Sequence, residues 1–229
     1  MWLALDTSGR TSTVALTDGD RVIAEVLVRR SRMHSEQLIM HMDTVCALVD
    51  HPSIDGVAVS AGPGSFTGLR IGLATAKSLA YAWHVPLVAV NSLATLMYNY
   101  RDATTPLCAI MDAQKGNVYY SRGYWSDGIL RLTVDSRIAP FTDLAQQIAS
   151  DCQDTLLIGD AVDLFTDNIE KLPHLLAAPP HQRYVRAGCV GQLAAVEYKA
   201  RGADNLMTLA PLYLRRSEAE ILWEKKQCQ

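Results

Sequence analysis

Val57-Ala58-Val59-Ser60-Ala61-Gly62-Pro63-Gly64-Ser65-Phe66-Thr67-Gly68-Leu69-Arg70-Ile71-Gly72 is the stretch on which the fold turns. Its small, mostly apolar opening reads as a buried strand, its Gly-Pro-Gly as a tight turn, and the apolar run from Leu69 to Trp83 as a helix. Strand, turn and helix make half of a βαβ unit. Gly62, Gly64 and Gly68 permit backbone angles and close approaches that a Cβ forbids. A nucleotide loop is the competing reading, and the residues resist it. A Walker A loop ends in Gly-Lys-Ser/Thr, whereas Gly68 is followed by Leu69 and Arg70, and Lys77 lies well inside the helix. A dinucleotide fingerprint needs Gly-x-Gly-x-x-Gly and an acid about twenty residues later. Here the spacing is Gly62-x-Gly64-x-x-x-Gly68, and Val88 to Ser92 holds no acid. The glycines read as structural, a turn built for close packing.

Outward from this stretch the chain alternates strands and helices. Before it come strands Trp2 to Leu5, Thr13 to Leu16 and Arg21 to Val28, the last two joined at Asp18-Gly19-Asp20, a hairpin signal. A helix from Ser35 to Val49 follows, with Ser35 as cap and Glu36 at the positive end of the dipole. After it come strand Leu87 to Val90 and a helix from Asn91-Ser92 to Tyr98. The pattern then repeats: strand Leu107 to Met111 ends in Asp112 as the first strand ends in Asp6, and strands Asn117 to Tyr124 and Ile129 to Val134 follow. The second copy thins into a helix at Leu144 to Ala149, strand Thr155 to Ile158, Gly159-Asp160 and a Pro-rich connection, Leu172 to Tyr184. A helix at Ala187 to Arg201 and a tail with an expected helix over Ser217 to Lys226 close the chain.

Composition excludes several classes. The 229 residues are 49% hydrophobic and 20% charged, enough for a full core. A net charge of −3 argues against independent binding of nucleic acid. No apolar run reaches the length of a membrane span, and Met1-Trp2-Leu3-Ala4-Leu5-Asp6 meets an acid too early for a signal peptide. Five scattered cysteines without a C-x-x-C suit a reducing cytoplasm and give neither a disulfide framework nor a zinc site.

Two βββα-type copies, each with an acid at the end of its first strand, define an α/β fold class: the duplicated, two-lobed actin-like/Hsp70-like ATPase (ASKHA) architecture. The expected lobes are 1–104, with βββαβαβα order, and a reduced, degenerate 105–229. In such folds the two acids flank nucleotide phosphates and their metal, although fold alone does not give function. Leu3-Ala4-Leu5-Asp6-Thr7-Ser8 resembles the opening of the TsaB (YeaZ) family. So do His34-Ser35-Glu36-Gln37-Leu38, the Gly62 to Gly72 stretch, Asp112-Ala113 with Gly116-x-Val118-Tyr119, and Pro211-x-Tyr213-Leu214-Arg215. The resemblance implies a part in making N6-threonylcarbamoyladenosine in tRNA, beside the anticodon. It implies a TsaD-like catalytic partner, a TsaE-like ATPase as third component, and self-pairing into a homodimer when alone. Contact with tRNA would come only through the complex.

The same resemblance frames the question of chemistry. TsaD-type relatives carry Asn-His-x-x-x-His, whose histidines bind the catalytic metal; here the comparable run is Asn91-Ser92-Leu93-Ala94-Thr95-Leu96, and leucine cannot ligate. The six histidines form no H-x-x-x-H pair. Asp6, Thr7, Ser8 and Asp112 read as degenerate phosphate-loop positions, because the glycines at Gly9 and Gly116 come late. Neither H-E-x-x-H nor G-x-S-x-G is present for a protease. The expectation is therefore no catalytic residue, no metal and no tightly bound cofactor, with ATP or ADP entering only in a complex. The alternative is an ATP-binding or metal-dependent enzyme acting alone. The first-lobe helices carry more apolar surface than one sheet buries. On that reading Leu38, Met42, Val45, Leu69, Leu73, Ala76 and Ala80 form the partner interface, and Met42→Asp or Ala76→Glu would abolish association while leaving the chain folded.

Overall fold

The computed structural model describes residues 1–29, 34–49 and 52–215. The expected Ser35 cap, the place of Glu36 and the expected helix over Ser217 to Lys226 fall outside the described side chains and residues.

In chain order the first lobe holds β1 (Trp2–Asp6), β2 (Thr11–Asp18), β3 (Arg21–Arg29), α1 (His34–Ala47), β4 (Gly56–Gly62), α2 (Phe66–Trp83), β5 (Leu87–Asn91) and α3 (Ser92–Tyr98). The second holds β6 (Leu107–Asp112), β7 (Asn117–Ser126), β8 (Ile129–Pro140), α4 (Phe141–Ser150), β9 (Thr155–Ile158), α5 (Thr166–Ile169) and β10 (Leu175–Ala177). Helix α6 (Ala187–Arg201) and residues 202–215 complete the described chain. The sheet orders are β3-β2-β1-β4-β5 and β8-β7-β6-β9-β10. In both, the first three strands are antiparallel and the last two join in parallel. The near-continuous apolar runs of β1, β4 and β6 suit strands covered on both faces, and they lie centrally.

Several expectations need correction. The second lobe is not reduced in strand number: the Pro-rich connection contains β10, which pairs Leu175 with Thr155 and completes the fifth strand. Its reduction lies in the short β9 and β10 and in α5, a single turn where the first lobe has the long α2. Strand β8 runs on to Pro140 because Ile138 and Pro140 pair with Tyr119 and Asn117. Helix α2 starts three residues early, at Phe66, because Ser65 accepts the Gly68 N–H as its N-cap (3.3 Å).

The layers are tied together by one core. Helices α1 and α2 cover one face of the first sheet, with Leu3, Leu5, Val57 and Val59 beneath them. The other face packs on α3 and α6, and this cluster continues into Leu107, Ala109 and Met111 of β6. Helix α6, expected with the second lobe, thus lies on the first sheet. Helix α4 covers the far face of the second sheet.

Candidate functional site

The loop after β1 is where a phosphate-binding fold would hold its ligand. Here its groups are bonded inward. The Asp6 carboxylate is fully buried and its Oδ1 accepts the Ser8 N–H (3.2 Å) and hydroxyl (2.6 Å). The Thr7 hydroxyl donates to the Gly68 carbonyl (2.6 Å), and Ser65 N–H donates to the Ser8 carbonyl (2.7 Å). A Cβ on Gly64 or Gly68 would collide with the carbonyl oxygens of Ser8 and Thr7. The glycine stretch is therefore docked backbone-to-backbone on the Asp6-Thr7-Ser8 loop. Gly62, at φ 118°, lets the Leu212 N–H reach the Ala61 carbonyl (2.7 Å) at the same corner.

Across the seam, Asp112 ends β6 and accepts the Gln114 N–H at Oδ1 (2.7 Å). Its Oδ2 meets the Arg10 guanidinium at 3.1 Å. Asp160, just after β9, accepts the Asp112 N–H (3.3 Å) and also the backbone N–H of Arg10. It therefore receives one backbone bond from each lobe. Burial pushes its carboxyl up to about 6, against the pull of those N–H groups and the Arg10 charge. Arg29 of β3 pairs with Asp163 (2.9 Å), which also accepts from Arg183 (2.8 Å) and the Tyr184 hydroxyl (3.0 Å). Between these groups Gly9, Arg10, Leu96, Met111, Asp160 and Arg183 line a cavity of about 10 Å³, the size of one water. Sequence motifs give Arg10, Asp160 and Asp163 no role. The available signal was positional: Gly159-Asp160 comes after β9 as Gly62-Pro63 comes at the end of β4.

The run comparable to the transferases' metal ligands serves packing. Asn91 Oδ1 caps α3 through the N–H groups of Leu93 (2.9 Å) and Ala94 (3.1 Å), and its Nδ2 donates to Ser136 of β8 (2.7 Å). Ser92 and Leu96 are buried. Among the described residues, no three His, Cys, Asp or Glu side chains gather as ion ligands. A Ser12–His41 pair lies at 3.3 Å, with both side chains buried between β2 and α1. Burial holds the His41 imidazole below its ordinary value.

The helix pair α1–α2 corrects the expected interface. Leu38, Met42, Val45, Leu69, Leu73, Ala76 and Ala80 are all buried in the single chain. The physical reason is the row Gly68, Gly72, Ala76 and Ala80, spaced by four, which lets α2 lie close on the sheet and the first loop. These small residues admit the chain's own strands rather than a foreign helix. Met42→Asp and Ala76→Glu would place charge in the core, so neither probes a surface. The outward face presents Ile39 and Met40 of α1 and Leu48 just after it, with Tyr81 and Trp83 of α2, between 43% and 67% exposed.

Two five-stranded sheets of identical connectivity, facing each other across a seam of strand-end acids, define the duplicated actin-like (ASKHA) class. A family model described as "TsaD: tRNA N6-adenosine threonylcarbamoyltransferase" matches residues 22–223. The chain is 31% identical to "tRNA threonylcarbamoyladenosine biosynthesis protein TsaB" of Bacillus subtilis, over 98% of each chain. It is 27% identical to the protein of the same name from Haemophilus influenzae, covering 97% of this chain and 95% of that one. The solved structure of YeaZ from Pseudomonas aeruginosa superposes with a TM-score of 0.78 at 26% identity, covering 93% and 99% of the two chains. The chain belongs to the TsaB (YeaZ) branch of the family that this model describes. No helix among the described residues is long and apolar enough to cross a membrane.

Proposed function

We propose that this chain is a non-catalytic cytoplasmic subunit that binds and activates a TsaD-like threonylcarbamoyltransferase during formation of N6-threonylcarbamoyladenosine in tRNA. The observation that carries the reading is the exposed apolar group Ile39, Met40, Leu48, Tyr81 and Trp83 on the outer face of α1–α2. Apolar side chains gathered on one helix layer are the material of a protein interface. The inward bonding of the Asp6 loop and the Arg10–Asp112 pair supports a platform rather than a catalyst, because the groups that would meet phosphates are already occupied. The names of the Bacillus and Haemophilus relatives supply the pathway. A TsaE-like ATPase acts as third component, ATP or ADP binds only in the assembly, tRNA is met through the complex, and the same helix face pairs two copies when the chain is alone.

The test is threonylcarbamoyladenosine formation on tRNA by purified TsaD-like and TsaE-like components, with and without this chain. Activity is expected to depend on the chain and to fall at least tenfold with Met40→Asp, a position 65% exposed where the fold tolerates charge. Full activity without the chain would overturn the reading. Turnover by the isolated chain would favour an enzyme instead.

A further inference from the structure

Two stretches far apart in sequence meet at the N-terminal end of α2. Arg70 lays its guanidinium over the Phe66 ring, 3.9 Å from the centroid. The Tyr213 ring lies 4.8 Å from that of Phe66, and the Tyr213 hydroxyl accepts the Arg70 Nε–H at 3.1 Å. Tyr213 is itself held in place, because residues 202–215 form a strap fastened along its length. Lys77 Nζ donates to the Leu209 carbonyl (2.7 Å), Leu212 N–H to Ala61 (2.7 Å), and Arg215 Nη1 to the Ala113 carbonyl at the end of β6 (2.7 Å).

This arrangement does more than anchor the strap, which Lys77, Leu212 and Arg215 already do. It fixes an exposed arginine. Neither Nη group of Arg70 has a partner among the described residues. A guanidinium stacked on one ring and bonded at Nε has surrendered its side-chain freedom before any ligand arrives, and its two amino groups present a planar fork. That fork matches a carboxylate. Arg70 also stands on the exposed row Thr67, Arg70, Ala74, Ser78 and Tyr81, so it is continuous with the helix face assigned to docking.

We propose that Arg70, clamped by Phe66 and Tyr213, is the carboxylate-recognition point of that docking face and takes an Asp or Glu side chain of the catalytic partner. The inference rests on the docking function proposed above. A protein carboxylate is favoured over an RNA phosphate by the surroundings. The Phe66 and Tyr213 rings lie against the guanidinium, and Tyr213 and its chain neighbour Leu212 are each 41% exposed, so the arginine sits among apolar groups, as at protein hot spots. A phosphate backbone would call for several cations on one surface, and the chain carries a net charge of −3.

The experiment compares the affinity of the purified TsaD-like subunit for wild type, Arg70→Ala, Arg70→Lys, Tyr213→Phe and Met40→Asp, with thermal unfolding of each free chain as a folding control. Arg70→Ala is expected to weaken binding about tenfold to a hundredfold. Arg70→Lys should weaken it nearly as much, since an ammonium keeps the charge but not the fork. Tyr213→Phe should give a smaller loss. Arg70→Lys carries the decision if Arg70→Ala unfolds. If Arg70→Ala and Arg70→Lys both bind within about twofold of wild type while Met40→Asp does not bind, the carboxylate point is refuted and the docking face stands. If wild type itself fails to bind, both readings fall. Unchanged partner affinity with loss of tRNA from the assembled complex would mean that Arg70 meets phosphate, which also overturns the proposal.

Discussion

Asp160→Asn separates the charge of the interlobe carboxyl from its shape. Asp160 is 6% exposed, and burial pushes its carboxyl from an ordinary 3.8 up to about 6. The N–H groups of Asp112 and Arg10 and the Arg10 guanidinium pull downward, and burial wins. Because the folded value is raised, the folded chain binds this proton more tightly than the unfolded one. For such a carboxyl, stability is greatest below the ordinary value and falls as pH rises to the folded value. A gap of about 2 units, at about 1.36 kcal/mol each, amounts to roughly 3 kcal/mol once both states are ionised. Between about pH 4 and about pH 7.5 some 2 kcal/mol of it is lost, since the unfolded carboxyl is already partly ionised at the lower pH. Asparagine does not titrate. Urea unfolding of both proteins at the two pH values should show wild type losing about 2 kcal/mol more than the variant. Any fixed penalty from a lost acceptor cancels in that double difference. A value near zero, or of opposite sign, would refute the reasoning, because Arg10 and the two N–H groups would then be the stronger influence.

Packing and burial yield two further outcomes. Gly68→Ala should destabilise the chain by about 3 kcal/mol or more, because its Cβ meets the Thr7 carbonyl, which is backbone and cannot swing away; chemical denaturation reads this, and a loss under about 1 kcal/mol would mean the two loops part easily. Burial pushes the Cys108 thiol up to about 12, whereas Cys152 is exposed, so a thiol reagent at neutral pH should label Cys152 at once and Cys108 only on unfolding. Peptide mapping that found prompt labelling of Cys108 would contradict its burial.

What the sequence made legible was local, and what it hid depended on distance. The strands β1, β4 and β6 announce themselves by apolar runs, and Asp6 and Asp112 by their places at strand ends. The glycine stretch reads as a close-packing turn because Walker and dinucleotide spacings fail. The direction in which α2 faces was not legible, since it is apolar nearly all round. Only the four-residue row Gly68, Gly72, Ala76 and Ala80 marks the side that lies down, and small residues suit a sheet, a loop or a second helix equally. The Arg10–Asp112 pair and the Arg70–Tyr213 bond span 102 and 143 residues, with no local pattern to announce either.

The two lobes nevertheless explain each other through their fourth strands. β4 ends in Gly62 at φ 118°, and Gly159, just past β9, has φ 120°, so each lobe's fourth strand gives way to a glycine at positive φ. Beyond the turn the lobes diverge. In the first, Gly64 and Ser65 seat the turn on the Asp6 loop, and an eighteen-residue helix follows that presents Tyr81 and Trp83 outward. In the second, Asp160 reaches back to bond both lobes, and a short 3-10 turn, Asp160–Leu164, replaces the helix. The first exit thus leads into a surface helix and the second into the seam. The proposed docking role uses both outcomes: an exposed helix face on the first lobe, and a seam bonded at Arg10–Asp112 and Asp160.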